Sequence, residues 1–190
     1  MDTKLTADIA ESAVVTELLK RGFRVLKPVG DRLPYDLALE CNSALLRIQV
    51  KSAWYERSKR LYTVDARRTK TNRRHMRRDR YAKEDFDFAI LYLADRGAFY
   101  VMPVDVFTSY RSGVSLVEAS KRQRCPRSEV YRERWDLLSS WAARHGNGRV
   151  TPVKVGEALT GNTEPSPRQR SPQGLASPPC KVAETLAGAG

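Results

Sequence analysis

Cysteine and histidine are scarce in this chain. The three cysteines, Cys41, Cys125 and Cys180, are far apart, no CxxC pair occurs, and His75 and His145 lie near none of them. That speaks against a disulfide framework and against a zinc site. Cys41 and Cys125 read instead as small, semi-buried apolar groups. Long apolar runs are also missing. None approaches the roughly 18 residues that a membrane span requires. The opening MDTKLTADIAES carries charges where a secretory leader would carry its apolar stretch, so a cytoplasmic protein is expected. Acidic charge is in deficit: 22 Asp and Glu face 34 Lys and Arg in 190 residues, a formal net charge of +12. Hydrophobic residues make up 41%, enough for a core at this length. A wholly disordered acidic chain is excluded.

Aromatic residues stop before the end. All 16 lie in the first 150 residues, whereas residues 151–190 hold six of the ten prolines and five of the eleven glycines. Such a segment cannot bury enough surface to offset its ordering entropy. A folded domain over 1–150 and a disordered tail over 151–190 are expected. The tail carries four basic and three acidic residues, a net +1, so +11 of the charge belongs to the domain. No internal repeat is visible.

Within the domain, residues 5–21 show helical spacing through Ile9, Ala13, Val14 and Leu18, with Gly22 as the stop. Residues 23–29 suit a strand closed by Gly30-Asp31. Tyr35 to Glu40 is a second strand, with Asp36, Ala38 and Glu40 on one face and Leu37 and Leu39 on the other. Leu45 to Ala53 is a third, with polar Arg47, Gln49 and Lys51 alternating with apolar Leu46, Ile48 and Val50. Arg60 to Asp65 is a fourth, followed by a basic, helix- or loop-like stretch to about Glu84. The apolar run Phe86 to Leu93 suits a central strand covered on both faces. Ala98 to Val106 suits another strand. After Pro126, Val130, Leu137, Leu138 and Trp141 recur at helical spacing, and Trp135 and Trp141 are assigned to the core rather than to an interface. The order predicts an α/β domain built around a mixed sheet.

Chemistry concentrates on the second and third strands. Asp36 opens one, and Gln49 and Lys51 share a face of the other, so pairing brings a carboxylate beside an ammonium. Glu11, near the edge of the apolar stripe of the first helix, can be aimed at Asp36. Asp36 after Pro34 also suits a turn, Lys51 a solvated strand end, and Glu11 and Glu40 plain surface positions. The chemical use of the set is metal-assisted hydrolysis. Two carboxylates and a main-chain carbonyl suit Mg²⁺, a hard ion that takes oxygen ligands and keeps several waters. The ion stabilises charge on a phosphate and activates water, and a lysine adds positive charge beside both. Asp87 is costly in an apolar strand unless paired, so it is expected near the strand start, bonded to Tyr81 or an arginine.

Glu11, Pro34-Tyr35-Asp36 and Gln49-Val50-Lys51, together with Gly30-Asp31 and the late Phe86-Asp87-Phe88 strand, resemble the PD-(D/E)xK nuclease superfamily. The stretch GDRLPYDLALE…LLRIQVKSA is especially similar to group I intron-encoded homing endonucleases of cyanobacteria. The resemblance covers roughly residues 5–107. It implies a restriction-endonuclease-like core, a mixed β-sheet flanked by helices. It also implies Asp36, Gln49, Lys51 and Glu11 as catalytic residues, with Asp36, Glu11 and the Val50 carbonyl as metal ligands and Lys51 as the catalytic lysine. Two departures stand out. Tyr35 separates Pro34 from Asp36, and the acidic position before the lysine is Gln49, which offers oxygen without charge and favours one tightly held ion over two.

Residues 67–83 hold nine Lys or Arg against the single acid Asp79, a net +8. Such a run repels itself without a polyanion, and neutralising phosphates supplies most non-specific affinity. Arg67, Arg68, Lys70, Arg73, Arg74, Arg77 and Arg78 are therefore candidate nucleic-acid contacts. His75 is a further contact or a solvated residue, and Lys121, Arg122, Arg124 and Arg127 form a second basic cluster. The expected function is a Mg²⁺-dependent endonuclease (Mn²⁺ substituting) that cuts double-stranded DNA site-specifically. Cutting two strands needs two sites, hence a homo-oligomer, a dimer or tetramer. Restriction, repair or junction resolution on the same scaffold, a decayed site that only binds DNA, and RNA binding are the alternatives. No RNP-type aromatic motif supports the last.

Overall fold

A computed structural model of the chain describes residues 2–30, 32–41, 43–71, 76–118 and 126–145. The chain divides into two units, Met1–Lys154 and Val155–Gly190, and everything described belongs to the first. The expected boundary at 150 and the tail 151–190 lie outside the described residues.

Helix α1 (Thr3–Lys20) begins where Asp2 caps it, its carboxylate accepting the Lys4 N–H at 2.9 Å. It ends before Gly22, whose φ of +79° is the left-handed geometry that stops helices. The buried stripe is Ala10, Val14 and Leu18, spaced four apart, with Ala13 packed at its edge. Ile9, expected in the stripe, lies one helical step round from Ala10 and stays 45% exposed.

The strands among the described residues are β1 (Arg24–Leu26), β2 (Leu37–Cys41), β3 (Ala44–Ser52), β4 (Trp54–Glu56), β5 (Leu61–Asp65), β6 (Arg67–Thr71), β7 (Met76–Arg80), β8 (Phe88–Leu93), β9 (Ala98–Pro103) and β10 (Gly113–Leu116). Helix α2 (Val104–Ser109) follows β9, and helix α3 (Asp136–His145) comes last. A mixed sheet runs in the order β1-β2-β3-β8-β9. Its β3–β8 pair is parallel and its other pairs are antiparallel. The order β10-β5-β4 makes a second, antiparallel sheet, and β6 and β7 make a two-stranded ribbon.

Both faces of the mixed sheet are covered around β8 and β9, so these two strands are apolar on both sides. Leu37, Leu39, Leu46, Ile48, Val50, Phe88 and Ile90 pack with α1 and with Leu138 and Ala142 of α3. Ala89, Leu91, Leu93, Tyr100 and Met102 pack with Tyr62 and Val64 of β5, Val114 and Leu116 of β10 and Phe107 of α2. Each fully buried aliphatic or aromatic side chain contributes about 1.5–3 kcal/mol. The run Phe86 to Leu93 is thus covered on both faces, as its composition predicts. Trp135 is also in the core.

Several expectations need correction. In the basic stretch after Asp65, residues 67–71 and 76–80 are strand where helix or loop is expected. They form the β6–β7 hairpin, with Arg67 facing Arg80 and Lys70 facing Arg77. The strand from Ala98 ends at Pro103 and the chain turns into α2, because proline lacks the N–H that would extend a ladder. Val130 lies in a short 3-10 turn, Glu129–Tyr131, and is 55% exposed, so the apolar helix begins only at Asp136. The first strand is shorter than expected, and β4 and β10 were not foreseen.

Candidate active site

The β2–β3 register sets the centre. Leu37 faces Ile48, and the Asp36 N–H continues the ladder to the Ile48 carbonyl at 2.9 Å. The next step brings Asp36 against Gln49. The Gln49 amide Nε2 donates to Asp36 Oδ2, and also to the Val50 carbonyl at 3.1 Å. The Val50 N–H donates to the same Oδ2 at 2.8 Å. Both bonds to Asp36 end on one oxygen. Among the described residues, Oδ1 accepts none.

Charge is expensive here. Gln49 is only 6% exposed. Burial pushes the Asp36 carboxyl up to about 6, and the Glu11 carboxylate pushes the same way. The Val50 N–H and the Lys51 and Lys27 ammonium groups oppose the rise. Lys51 is pushed down by burial and held up by the Asp36 and Asp65 carboxylates. Among the described residues its ammonium makes no ion pair with Asp36. It donates to the Arg67 carbonyl at 3.3 Å and lies 5.1 Å from the centre of the Tyr81 ring.

Glu11 is close enough to act on Asp36 electrostatically, but its nearest partner is Lys27, at 2.8 Å. That pair raises the Lys27 ammonium. The sheet thus brings Asp36, Gln49, Val50 and Lys51 together, and Glu11 approaches from α1 already paired. Sequence reasoning missed Lys27 and Tyr81. Lys27 leaves no trace in an isolated basic residue, and the contact of Tyr81 with Lys51 exists only after tertiary closure.

The donor set suits a hard divalent cation. Among the described residues no group of three or more His, Cys, Asp or Glu side chains could hold an ion. What is present is two carboxylates and a main-chain oxygen, close to the way Mg²⁺ is held by one or two carboxylates and its own waters. The partly positive amide NH₂ of Gln49 sits between Asp36 Oδ2 and the Val50 carbonyl, where two oxygens converge on positive charge.

Comparison with known proteins gives the family. The sequence profile of the PD-(D/E)XK endonucleases matches residues 1–138. This chain belongs to the PD-(D/E)XK endonuclease family. The endonuclease is also similar to a solved structure, the bacterial homing endonuclease I-Ssp6803I, at 49% sequence identity and a TM-score of 0.72. The match covers 78% of this chain and 100% of that one. No curated protein matches it. The mixed sheet with flanking helices is the fold expected of a restriction-endonuclease-like core.

The other candidate residues of the endonuclease fall as follows. Arg67 is ion-paired with Asp65 at 3.0 Å, and the Arg68 guanidinium donates to the Leu33 carbonyl at 3.1 Å. Arg78 and Arg80 are exposed. Lys70 and Arg77 lie in the ladder, but their side chains fall outside the described part, as do Arg73, Arg74, His75 and the cluster at Lys121, Arg122 and Arg124. Arg127 stacks 5.6 Å from the Tyr110 ring. Asp87 is bonded to an arginine, as one of its two expected partners. It accepts the Arg47 N–H at 2.7 Å and two guanidinium N–H groups at 3.1 and 3.2 Å. The Asp87 N–H returns to the Arg47 carbonyl at 2.9 Å, which locks β3 beside the start of β8. Glu40 is exposed, as expected.

Proposed function

We propose that this endonuclease is a divalent-metal-dependent, site-specific cutter of double-stranded DNA, of the homing type. The reading rests on one observation: Asp36, Gln49, the Val50 carbonyl and Lys51 converge on one end of two paired strands. The 49% identity to a bacterial homing endonuclease supports the same task. Asp36, Glu11 and the Val50 carbonyl would hold Mg²⁺, for which Mn²⁺ substitutes. When bound, such an ion supplies Lewis acidity to the phosphate and to the attacking water. Gln49 orients Asp36 and fills the gap between the two oxygens in the resting protein. Lys51 places its ammonium where negative charge develops in the transition state.

The β6–β7 hairpin supplies the DNA-binding arm. Its register sets Arg67 opposite Arg80 and Lys70 opposite Arg77, a like-charge order that costs stability until phosphates are bound. Cutting both strands takes two sites, so the working form is a homo-oligomer, a dimer or tetramer. No helix among the described residues is long and apolar enough to cross a membrane. A cytoplasmic location belongs to the same proposal, since the substrate is DNA.

The test is cleavage of plasmid, branched and nicked DNA with Mg²⁺ by wild type and by Lys51→Ala. We expect wild type to cut the duplex. Lys51→Ala should lose about a hundredfold or more in rate while still binding DNA. Binding by wild type without cutting would mark a decayed site, and preference for branched DNA a junction resolvase.

A further inference from the structure

Lys51 is held by two groups that belong to the base of the arginine hairpin. Arg67 opens β6, and its carbonyl accepts the Lys51 ammonium at 3.3 Å. Tyr81 directly follows β7, and its ring lies 5.1 Å from the same nitrogen. Arg67 faces Arg80 in the hairpin register, so the carbonyl and the ring flank the two feet of one ribbon. The ring is fixed from behind. Phe86 meets it edge-on at 5.1 Å and Phe107 lies at 6.2 Å, the two being 5.8 Å apart. Phe86 and Phe107 are completely buried and Tyr81 is 8% exposed, so the ring cannot swing away. An aromatic face carries negative charge density and attracts an ammonium, most strongly where water is excluded.

We propose that Tyr81 is a positioning residue for Lys51, its ring face and the Arg67 carbonyl together fixing the ammonium to the root of the arginine hairpin. The lysine thereby keeps a third N–H for the reacting phosphate. The hairpin cannot shift on DNA without carrying the ammonium with it. This rests on the reading of Lys51 given above, and it adds the group through which DNA engagement is felt at the site.

The test changes the ring's charge and leaves its shape nearly constant. In the full chain, Tyr81 is replaced by Phe, by phenylalanines bearing one, two and three ring fluorines, and by Leu. Two readouts are followed. The first is the chemical shift of the Lys51 Cε protons in lysine-labelled protein, assigned with Lys51→Arg. The second is the single-turnover cleavage of supercoiled plasmid with Mg²⁺, beside DNA affinity and melting temperature. A ring-shifted Lys51 signal is expected in wild type, restored by Phe and lost with Leu. It should drift towards free lysine as fluorines are added. The cleavage rate should fall along the fluorine series, on the order of tenfold in all, with DNA affinity and melting temperature unchanged. A flat fluorine series in the lysine signal overturns the proposal, and so does a Phe variant as impaired as Leu. If Lys51→Ala cuts as fast as wild type, or wild type does not cut, the catalytic reading fails instead, and the lysine signal still decides whether Tyr81 holds the ammonium.

Discussion

Asp36 carries its charge at a cost in the metal-free protein. Its carboxyl titrates at about 6, because burial and Glu11 outweigh the Val50 N–H and the two lysines. An unfolded aspartate titrates near 3.9. Between these values the folded protein holds a proton that the unfolded chain has released, so stability declines as pH rises from about 4 through 6. Asp36→Asn removes the charge and keeps an oxygen for the Val50 N–H. With a chelator present at about pH 7.5, this variant should be more stable by on the order of 1–2 kcal/mol, the gain vanishing near pH 4. Thermal melting at both pH values checks it, and cleavage should be abolished throughout. Because a proton competes with the cation for Asp36, metal affinity should weaken as pH falls below about 6, which titration calorimetry reads directly. Strand alternation placed Asp36 and Lys51 on neighbouring strands, and the family resemblance gave them their roles, although the Lys51 ammonium goes to the Arg67 carbonyl and not to Asp36. The place of Glu11 at the edge of the apolar stripe was legible, but its role came from the family resemblance, since nothing in an amphipathic helix marks one surface glutamate from another.

The elements divide by how much hydropathy contrast they carry. Strand β3 was readable because Leu46, Ile48 and Val50 are buried and alternate with polar groups. Strand β8 was readable because both of its faces are covered. The β6–β7 hairpin was not. Its strands read Arg-Arg-Thr-Lys-Thr and Met-Arg-Arg-Asp-Arg, polar on both faces, so a period of two leaves no apolar trace. Only Asn72 between them hinted at a turn. The two exposed arginines of β7 give the clearest test of the hairpin's role. Arg78→Ala and Arg80→Ala should each lower DNA affinity roughly alike across sequences. For each phosphate contact removed, the slope of log affinity against log salt should shrink by about 0.9. Fluorescence anisotropy over a salt series measures this. An unchanged slope would remove the hairpin from the interface.

For the whole molecule, charge and length can be separated. Residues 151–190 contribute only +1 to the net +12. The similarity to I-Ssp6803I covers all of that chain while using 78% of this one, so the rest has no counterpart there. We expect a chain ending at residue 150 to melt as the full chain does and to cut DNA at the same rate within about twofold. Loss of cooperative melting on that truncation would move the domain boundary.

The parallel joint between β3 and β8 has a consequence for the life of the newly made chain. Ile48 meets Phe88, 40 positions further on, whereas the β6–β7 ribbon closes over a few residues. Short loops close early and long ones late. Gln49, Val50 and Lys51 all ride on the strand that waits for its distant neighbour. In a nascent chain the β2–β3 hairpin, with its Asp36–Gln49 contact, and the arginine ribbon are therefore expected to close early, and the joint to β8 that completes the sheet around them late.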